Sequence, residues 1–534
     1  MTRVDFFPEL RKACRDHPKP PPPTKPKPPQ LTPLEYAKDW SKHQTEANTD
    51  AHYCLRPPEL KGLPLEILHP AFVVFKKCLT ETFPPPNIST DSVVINAGRA
   101  ADVLCSVMGG DLPEPDQGNA FKHGLENLFP RDGWKNNYAC KTLPIPKHAK
   151  LDGVYLDLST AEPRIRLIRR DQAENEYGPQ PYIQAIHDYC WLIHRSEFQE
   201  PSHQENGAAT LLMLVQGANL LIAGAIFDGQ RVVAEPLSPF LPMLTDWRNR
   251  FNERREMLAR YLYATRLTYD ELLKAKFNVP YVPGIPHPSI YETIQDGRSD
   301  TLKFHSPHPF YANHTLLFNG TATFDEGEPL DVAIKLIYGH YGYEVHKYLA
   351  SEGVAPQLYG KSISQFQPPS GPTIIPTAIV MENLTNPYET SSEIGWIPLY
   401  TFLEYHKDLS SGDQKNIFDE LFKIVKLLYK KQFVHGDLRS PNFMIKVKGT
   451  HPDYQEMVPS NNQLPQVMVI DFDWAGSAGE VQYPRSRSDR KEWPGKPGGV
   501  ISLEDDWILV KNWWSQDFPL FDISGYALPS PSNV

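Results

Sequence analysis

The chain predicts an α+β protein with two folded regions, and three observations carry that reading. Apolar residues recur at period two or in short runs over Arg164–Arg170 and Leu330–Ile337, the mark of strands. They recur at helical spacing over 181–193, 247–276 and 413–431. Proline-rich stretches at 17–29 and 279–288 interrupt the pattern, because proline has no amide hydrogen and a fixed φ. A length of 534 residues suits two domains with a tail or linker.

Composition narrows the function classes. A hydrophobic fraction of 40% and a charged fraction of 22% are those of an ordinary globular chain. A net charge of −10 makes nucleic acid an unlikely partner, because wrapping phosphate needs a basic footprint. Cys14, Cys54, Cys78, Cys105, Cys140 and Cys190 form no CxxC pair, and none follows Cys190. The C-terminal half is therefore expected to hold neither a disulfide nor a thiolate zinc site. Asn-x-Ser/Thr sequons occur at Asn87, Asn313, Asn319 and Asn383, but the first residues lack an apolar signal core. The expectation is an intracellular protein, cytoplasmic or nuclear and not secreted.

In chain order, residues 1–35 form a Pro/Lys-rich tail, expected to be extended or disordered, whose PxxP elements could meet an SH3-type partner. Residues 36–245 form a mixed α/β domain. It contains a helix within 93–107, strands at 151–156 and 164–170, and a helix over 181–193. The arginines at 164, 166, 169 and 170 are expected on a solvated strand face. Residues 208–227 are apolar enough to span a bilayer, yet Gln216-Gly217-Ala218-Asn219 is turn chemistry, so two buried strands and no membrane span are expected. Residues 246–298 are expected to be a helical connector and a stiff proline link. Residues 299–528 make the second domain, with strands at 302–304, 314–324, 330–337 and 373–381 and helices at 343–349, 413–431 and 503–514.

The chemistry concentrates in that second domain. His435-Gly436-Asp437-Leu438-Arg439-Ser440-Pro441-Asn442 precedes an apolar strand ending in Asp471-Phe472-Asp473. An Asp, an Asn five residues later and a second Asp after a strand suit one nucleotide and its metal. Asp437 is the candidate base for a hydroxyl proton, and Asn442 and Asp471 offer the hard oxygens Mg²⁺ requires. Asp473 is expected to be structural or a substitute ligand. Arg439 stands where a cation could offset charge on a transferring phosphoryl group. Val332-Ala333-Ile334-Lys335 fits a strand lysine that meets the α- and β-phosphates.

These motifs resemble the protein-kinase-like superfamily. That resemblance implies a bilobal fold with a small β-rich N-lobe and, here, a shortened helical C-lobe. It also implies ATP and Mg²⁺ as cofactors, Glu344 as the helix partner of Lys335, and Met381, Glu382 and Asn383 as the linker whose backbone meets adenine. The departures are plain: no G-x-G-x-x-G occurs, the corresponding loop is 305–313, Asp-Phe-Gly is replaced by Asp471-Phe472-Asp473, and Ala-Pro-Glu is absent. The Phe472-Asp473-Trp474-Ala475-Gly476 run and 479–484 resemble the fungal-type (basidiomycete) protein kinase family, which implies Ser/Thr phosphorylation of an unknown protein substrate. His-Gly-Asp is also the form of aminoglycoside and choline kinase-like enzymes, so a small-molecule phosphotransferase and a pseudokinase scaffold stay open. Upstream, Asp152 on a strand followed by a strand and a helix resembles the PD-(D/E)xK nuclease-like fold. Arg170-Asp171-Gln172 stands where that pattern has its second acid and lysine, so a degenerate scaffold without nuclease chemistry is expected.

Overall fold

The computed structural model describes residues 63–83, 92–126, 128–129, 134–138, 151–157, 164–172, 181–193, 208–227, 232–243, 251–274, 285–287, 290–291, 301–307, 316–324, 327–362, 364, 374–384, 394–448, 465–487 and 492–528, apart from 108–113. The tail at 1–35 and most of the 305–313 loop lie outside them. The chain divides into two compact units, one of residues 1–290 with 309–315 and 365–375, the other of residues 291–308, 316–364 and 376–534.

The first unit is a seven-stranded sheet covered on both faces. Its helices are α1 (Leu65–Leu68), α2 (Pro70–Thr80), α3 (Ser92–Val107) and α4 (Glu114–Leu125). Strands β1 (Trp134–Tyr138), β2 (Leu151–Asp157) and β3 (Arg164–Gln172) follow, then α5 (Pro181–Ile193). Next come β4 (Thr210–Gln216), β5 (Asn219–Phe227), β6 (Val232–Pro236), β7 (Leu241–Pro242) and α6 (Phe251–Lys274). The order is β1-β2-β3-β4-β5-β6 with β7 beside β5, and β3–β4 is the parallel pair, bridged in sequence by α5. Alternate residues of β4 enter different cores: Leu211, Met213 and Val215 on one side, Leu212 and Leu214 with the α5 residues on the other. Two covered faces explain why the strand is almost wholly apolar. The Gln216–Asn219 pair closes a two-residue hairpin, as the turn residues require. At Gly224 a Cβ would sit 2.5 Å from the Phe72 ring, so glycine is what lets α2 lie on the sheet.

Two expectations are corrected here. The 251–274 helix is not a connector: Leu258, Leu262, Tyr263, Tyr269 and Leu272 are buried in the first unit's core. Arg255 pairs with Asp102, and Arg260 Nε donates to Cys78 O at 3.1 Å. The described part of the proline link also docks, with His287 N–H donating to Ile67 O at 2.7 Å. Nor do the β3 arginines form a solvated face. Arg166, Arg169 and Arg170 are buried, and a buried charge requires a partner. Arg170 bonds Asp188 and lies 3.4 Å from Asp152, while Arg169 meets Asp171 at 2.9 Å.

The second unit begins with an antiparallel five-stranded sheet: β8 (Thr301–Pro307), β9 (Leu317–Thr323), β10 (Leu330–Ile337), β11 (Leu358–Ser362) and β12 (Thr377–Glu382). Its order is β11-β12-β10-β9-β8, and α7 (Tyr343–Ser351) lies in sequence between β10 and β11. His305 and Ser306 belong to β8 rather than to a loop, because the β8–β9 ladder runs on to Pro307. The helical part contains α8 (Leu399–Tyr405), α9 (Ser411–Lys430) and α10 (Leu503–Asp517). Small sheets join β13 (Ile394–Pro398), β15 (Phe443–Lys448) and β16 (Val467–Val469), and pair β14 (Phe433–Val434) with β17 (Gly476–Ser477). The core is formed by Phe418, Leu421, Ile424, Val425 and Leu428 of α9 against Phe443, Ile445 and Val469. Beyond α10, Phe521 and Tyr526 cover the same helix, and Tyr526 donates its hydroxyl to Asp419 at 2.6 Å. No helix among the described residues is long and apolar enough to cross a membrane, and 208–227 forms the β4–β5 hairpin.

Candidate functional site

The loop after β14 is held from below by α10. Asp506 is buried on the first turn of that helix, and its carboxylate accepts the amides of His435 at 2.6 Å and Gly436 at 2.9 Å. Burial pushes this carboxyl up to about 7 even though two N–H groups favour its charged form. Trp513 Nε1 donates to Leu438 O at 3.0 Å. Gly436 has φ +80°, and a Cβ there would sit 2.7 Å from Ile501 Cδ1, so the loop needs glycine. His435 is buried with Nε2 3.1 Å from Ile470 O, and burial holds its imidazole down at about 4. It is a neutral strut that ties the loop to the strand carrying Asp471.

Asp437, Arg439 and Asn442 come together around one carboxylate. Asn442 Nδ2 donates to Asp437 Oδ2 and to Asp437 O, both at 2.9 Å. Arg439 forks onto both carboxylate oxygens, with Nη2–Oδ2 at 2.6 Å. Burial raises the Asp437 carboxyl above its ordinary value, against the opposing effect of Arg439. Arg439 is therefore not an idle surface residue. It neutralises and orients Asp437.

Lys335 ties the five-stranded sheet to the turn after β16. From the middle of β10 its ammonium bonds Asp471, 136 residues away, and Asp473 Oδ1 at 2.6 Å. Asp471 adopts φ +71°, a conformation uncommon for Asp, which turns its carboxylate off the end of β16. Burial pushes the Asp471 carboxyl up, but Lys335 outweighs it and holds the group below its ordinary value. Asp473 goes the other way: burial and the neighbouring Asp471 raise it. Sequence reasoning places Asp473 as structural or as a substitute ligand; the geometry puts it on the same ammonium as Asp471.

Glu344 is corrected. It is exposed on the first turn of α7 and makes no ion pair with Lys335, whose carboxylate partners are Asp471 and Asp473. The cause is helical phase. Val345, His346 and Leu349 face inward, and Glu344 lies about 200° around the helix from His346. His346 stacks on Phe472 at 4.3 Å, and Gly342 N–H donates to Phe472 O at 2.9 Å, so α7 is tied to the Asp471 turn by these contacts instead. The linker is also shifted. Met381 and Glu382 still lie in β12, paired with Ala333 and Val332, and Glu382 N–H is spent on Gln357 O. Backbone beyond the ladder starts at Asn383.

For Mg²⁺, the available donors are the Asn442 amide oxygen, whose nitrogen is committed to Asp437, and the Asp471 carboxylate. The Phe443–Val469 pairing and the Ile470 N–H to Asn442 O bond at 2.9 Å bring the two residues into one neighbourhood. Among the described residues no group of three or more His, Cys, Asp or Glu forms a metal cage. One carboxylate and one amide fit Mg²⁺, which keeps waters and takes phosphate oxygens for the rest.

In the first unit, Asp152 Oδ2 accepts Asp171 N–H at 3.0 Å and lies beside Arg170, so a guanidinium occupies the place between its acids. Burial pushes the Asp171 carboxyl up to about 6. That arrangement suits a structural ion cluster. Compared with known proteins, the chain matches no family model and no curated protein.

Proposed function

We propose that residues 299–528 form an ATP- and Mg²⁺-dependent phosphotransferase of the protein-kinase type, which passes the γ-phosphate to a Ser/Thr hydroxyl of a protein. The observation that carries this reading is the convergence of Lys335 from β10 on Asp471 beyond β16. The β11-β12-β10-β9-β8 order, with a helix between β10 and β11, supports it.

Lys335 is placed to exchange carboxylate for phosphate oxygens when nucleotide enters. Asp437 is aimed by Asn442 and Arg439, and takes the proton of an acceptor hydroxyl that displaces one guanidinium N–H. Its raised pKa makes it a better base than an exposed Asp. Mg²⁺, held by Asn442 and Asp471, would offset phosphate charge. Catalysis of this kind is positioning and electrostatics, so Asp437→Asn is expected to remove most transfer while nucleotide binding persists. Labelled γ-phosphate transfer, with mass-spectrometric detection of autophosphorylation, tests this. Equal transfer by wild type and Asp437→Asn would reject it.

A further inference from the structure

We infer that Trp493 is a positioning residue for the transfer step, whose ring holds the Arg439 guanidinium beside Asp437 while an acceptor hydroxyl takes one oxygen of that carboxylate; this rests on the phosphotransferase reading above. The guanidinium carbon of Arg439 lies 4.9 Å from the Trp493 ring centroid while its nitrogens fork onto both oxygens of Asp437. The Arg439 side chain is 24% exposed and that of Asp437 10%, so the contact lies largely out of water, where a cation on an aromatic face is worth most.

The ring is itself fixed. Trp493 packs against the small core of Val434, Tyr483 and Ile501, and Val434 ends β14, the strand that leads into the His435 loop. Its ring centroid is 5.3 Å from that of Trp474 and 6.0 Å from that of Tyr483. Backbone bonds pin the chain that follows: Gly498 N–H donates to Tyr483 O at 3.0 Å, Tyr483 N–H to Gly499 O at 2.9 Å, and Ile501 N–H to Val481 O at 3.0 Å. Tyr483 gives its hydroxyl to Asp505 at 3.1 Å, next in sequence to the Asp506 that holds the His435 loop. Arg487 lies 5.2 Å from the same ring and gives Nη2 to Gly495 O, so it belongs to the support of Trp493.

The proposed transfer shows why such a support is needed. Arg439 and the Asn442 amide together occupy both oxygens of Asp437, yet a base must offer one oxygen to the hydroxyl proton. One guanidinium N–H has to let go while the cation stays close, since it offsets charge on the phosphoryl group. A guanidinium resting on a ring can turn or slide without losing that contact, because the attraction is to the whole π face and not to one acceptor atom. An aliphatic side chain of similar bulk offers no such face.

The test compares Trp493→Phe with Trp493→Leu, both of which keep apolar bulk in the small core. Incorporation of labelled γ-phosphate into the full chain is followed across Mg-ATP concentration, well below the melting midpoints, to give a maximal rate and a half-saturating concentration. Trp493→Leu is expected to lower the maximal rate about five- to thirtyfold while half-saturation stays within about twofold, and Trp493→Phe to stay within about threefold of wild type. With Arg439 replaced by Gln, the leucine substitution should cost less than about twofold more, because the ring acts through the arginine. Equal rates in the Phe and Leu variants, or the same leucine penalty without Arg439, would overturn the inference alone. A wild type that transfers no phosphate would instead reject the phosphotransferase reading and this inference with it, so the two failures are distinguishable.

Discussion

Replacing Asp506 by Asn probes the support of the site without touching a reacting group. In the wild type, two oxygens serve two buried donors, His435 N–H and Gly436 N–H. Asn keeps the shape but exchanges one accepting oxygen for an NH₂, so one donor loses its acceptor and faces another donor. An unsatisfied buried donor costs about 1–3 kcal/mol. At about 2–4 °C per kcal/mol for a domain of this size, the melting midpoint should drop by roughly 2–12 °C. Phosphotransfer should drop as well, because Asp437 follows directly after the released amides. Asp506→Ala orphans both donors and should cost about twice as much. Thermal unfolding followed by circular dichroism, with transfer measured well below the midpoint, gives both readouts. If Asp506→Asn matched wild type in midpoint and transfer, the idea that α10 holds this loop in place would be refuted.

Glu344→Gln should change the melting midpoint and the response to Mg-ATP very little, within about 0.5 kcal/mol for an exposed residue. Lys335→Met should abolish that response, and a large Glu344→Gln effect would restore the lysine–glutamate pairing that the geometry rejects. Two buried histidines should also cost the second unit stability in acid. His346 and His435 are buried and held down at about 4 from 6.5, so they are neutral when folded but protonate when unfolded. Their contribution, roughly 3 kcal/mol each at most, is present above pH 6.5 and is lost as pH falls towards 4. Asp506 opposes this, because its carboxyl is raised to about 7: its contribution is present below its ordinary value of 3.8 and is lost as pH rises through 7. Asp437 and Asp473 are raised as well and oppose in the same sense, so the test is the difference between variants: from pH 6.5 to 4 the midpoint should fall more shallowly in His346→Gln than in wild type, and parallel profiles would contradict it. Finally, ATP should raise the midpoint only with Mg²⁺ present, by about 1–3 kcal/mol at saturating nucleotide, and an equal rise in EDTA would exclude metal-assisted binding.

How much of this was legible in the sequence varies with the physics involved. The helix 181–193 and the strand 330–337 appear at their expected bounds because each carries its own period and its own stop. The hairpin at 216–219 is equally local. The buried arginines on β3 were not legible: alternation shows that a strand has two faces, but not that both are covered. The carboxylate partners of Arg170, Asp152 and Asp188, each lie 18 residues from it. Lys335 and Asp471 could be named from motifs, yet the lysine's second partner, Asp473, could not. Whether Glu344 or Asp473 meets the ammonium depends on the rotation of a nine-residue helix, which a single turn of sequence underdetermines. Asp506 left a partial signal, since Ser502 and Asp505 form a capping box that fixes the start of α10.

The charges around the site explain why the metal dependence is a sharp test. Lys335 and Arg439 bring two positive charges, while Asp437, Asp471 and Asp473 bring three negative ones. Each cation is already satisfied by carboxylates, so nothing in the arrangement attracts a polyanion unaided. A triphosphate gains Lys335 only by separating it from Asp471 and Asp473, which leaves two half-buried carboxylates facing phosphate oxygens. That exchange is unfavourable unless another cation takes over the released Asp471, and Asn442 stands beside that residue with an amide oxygen to offer.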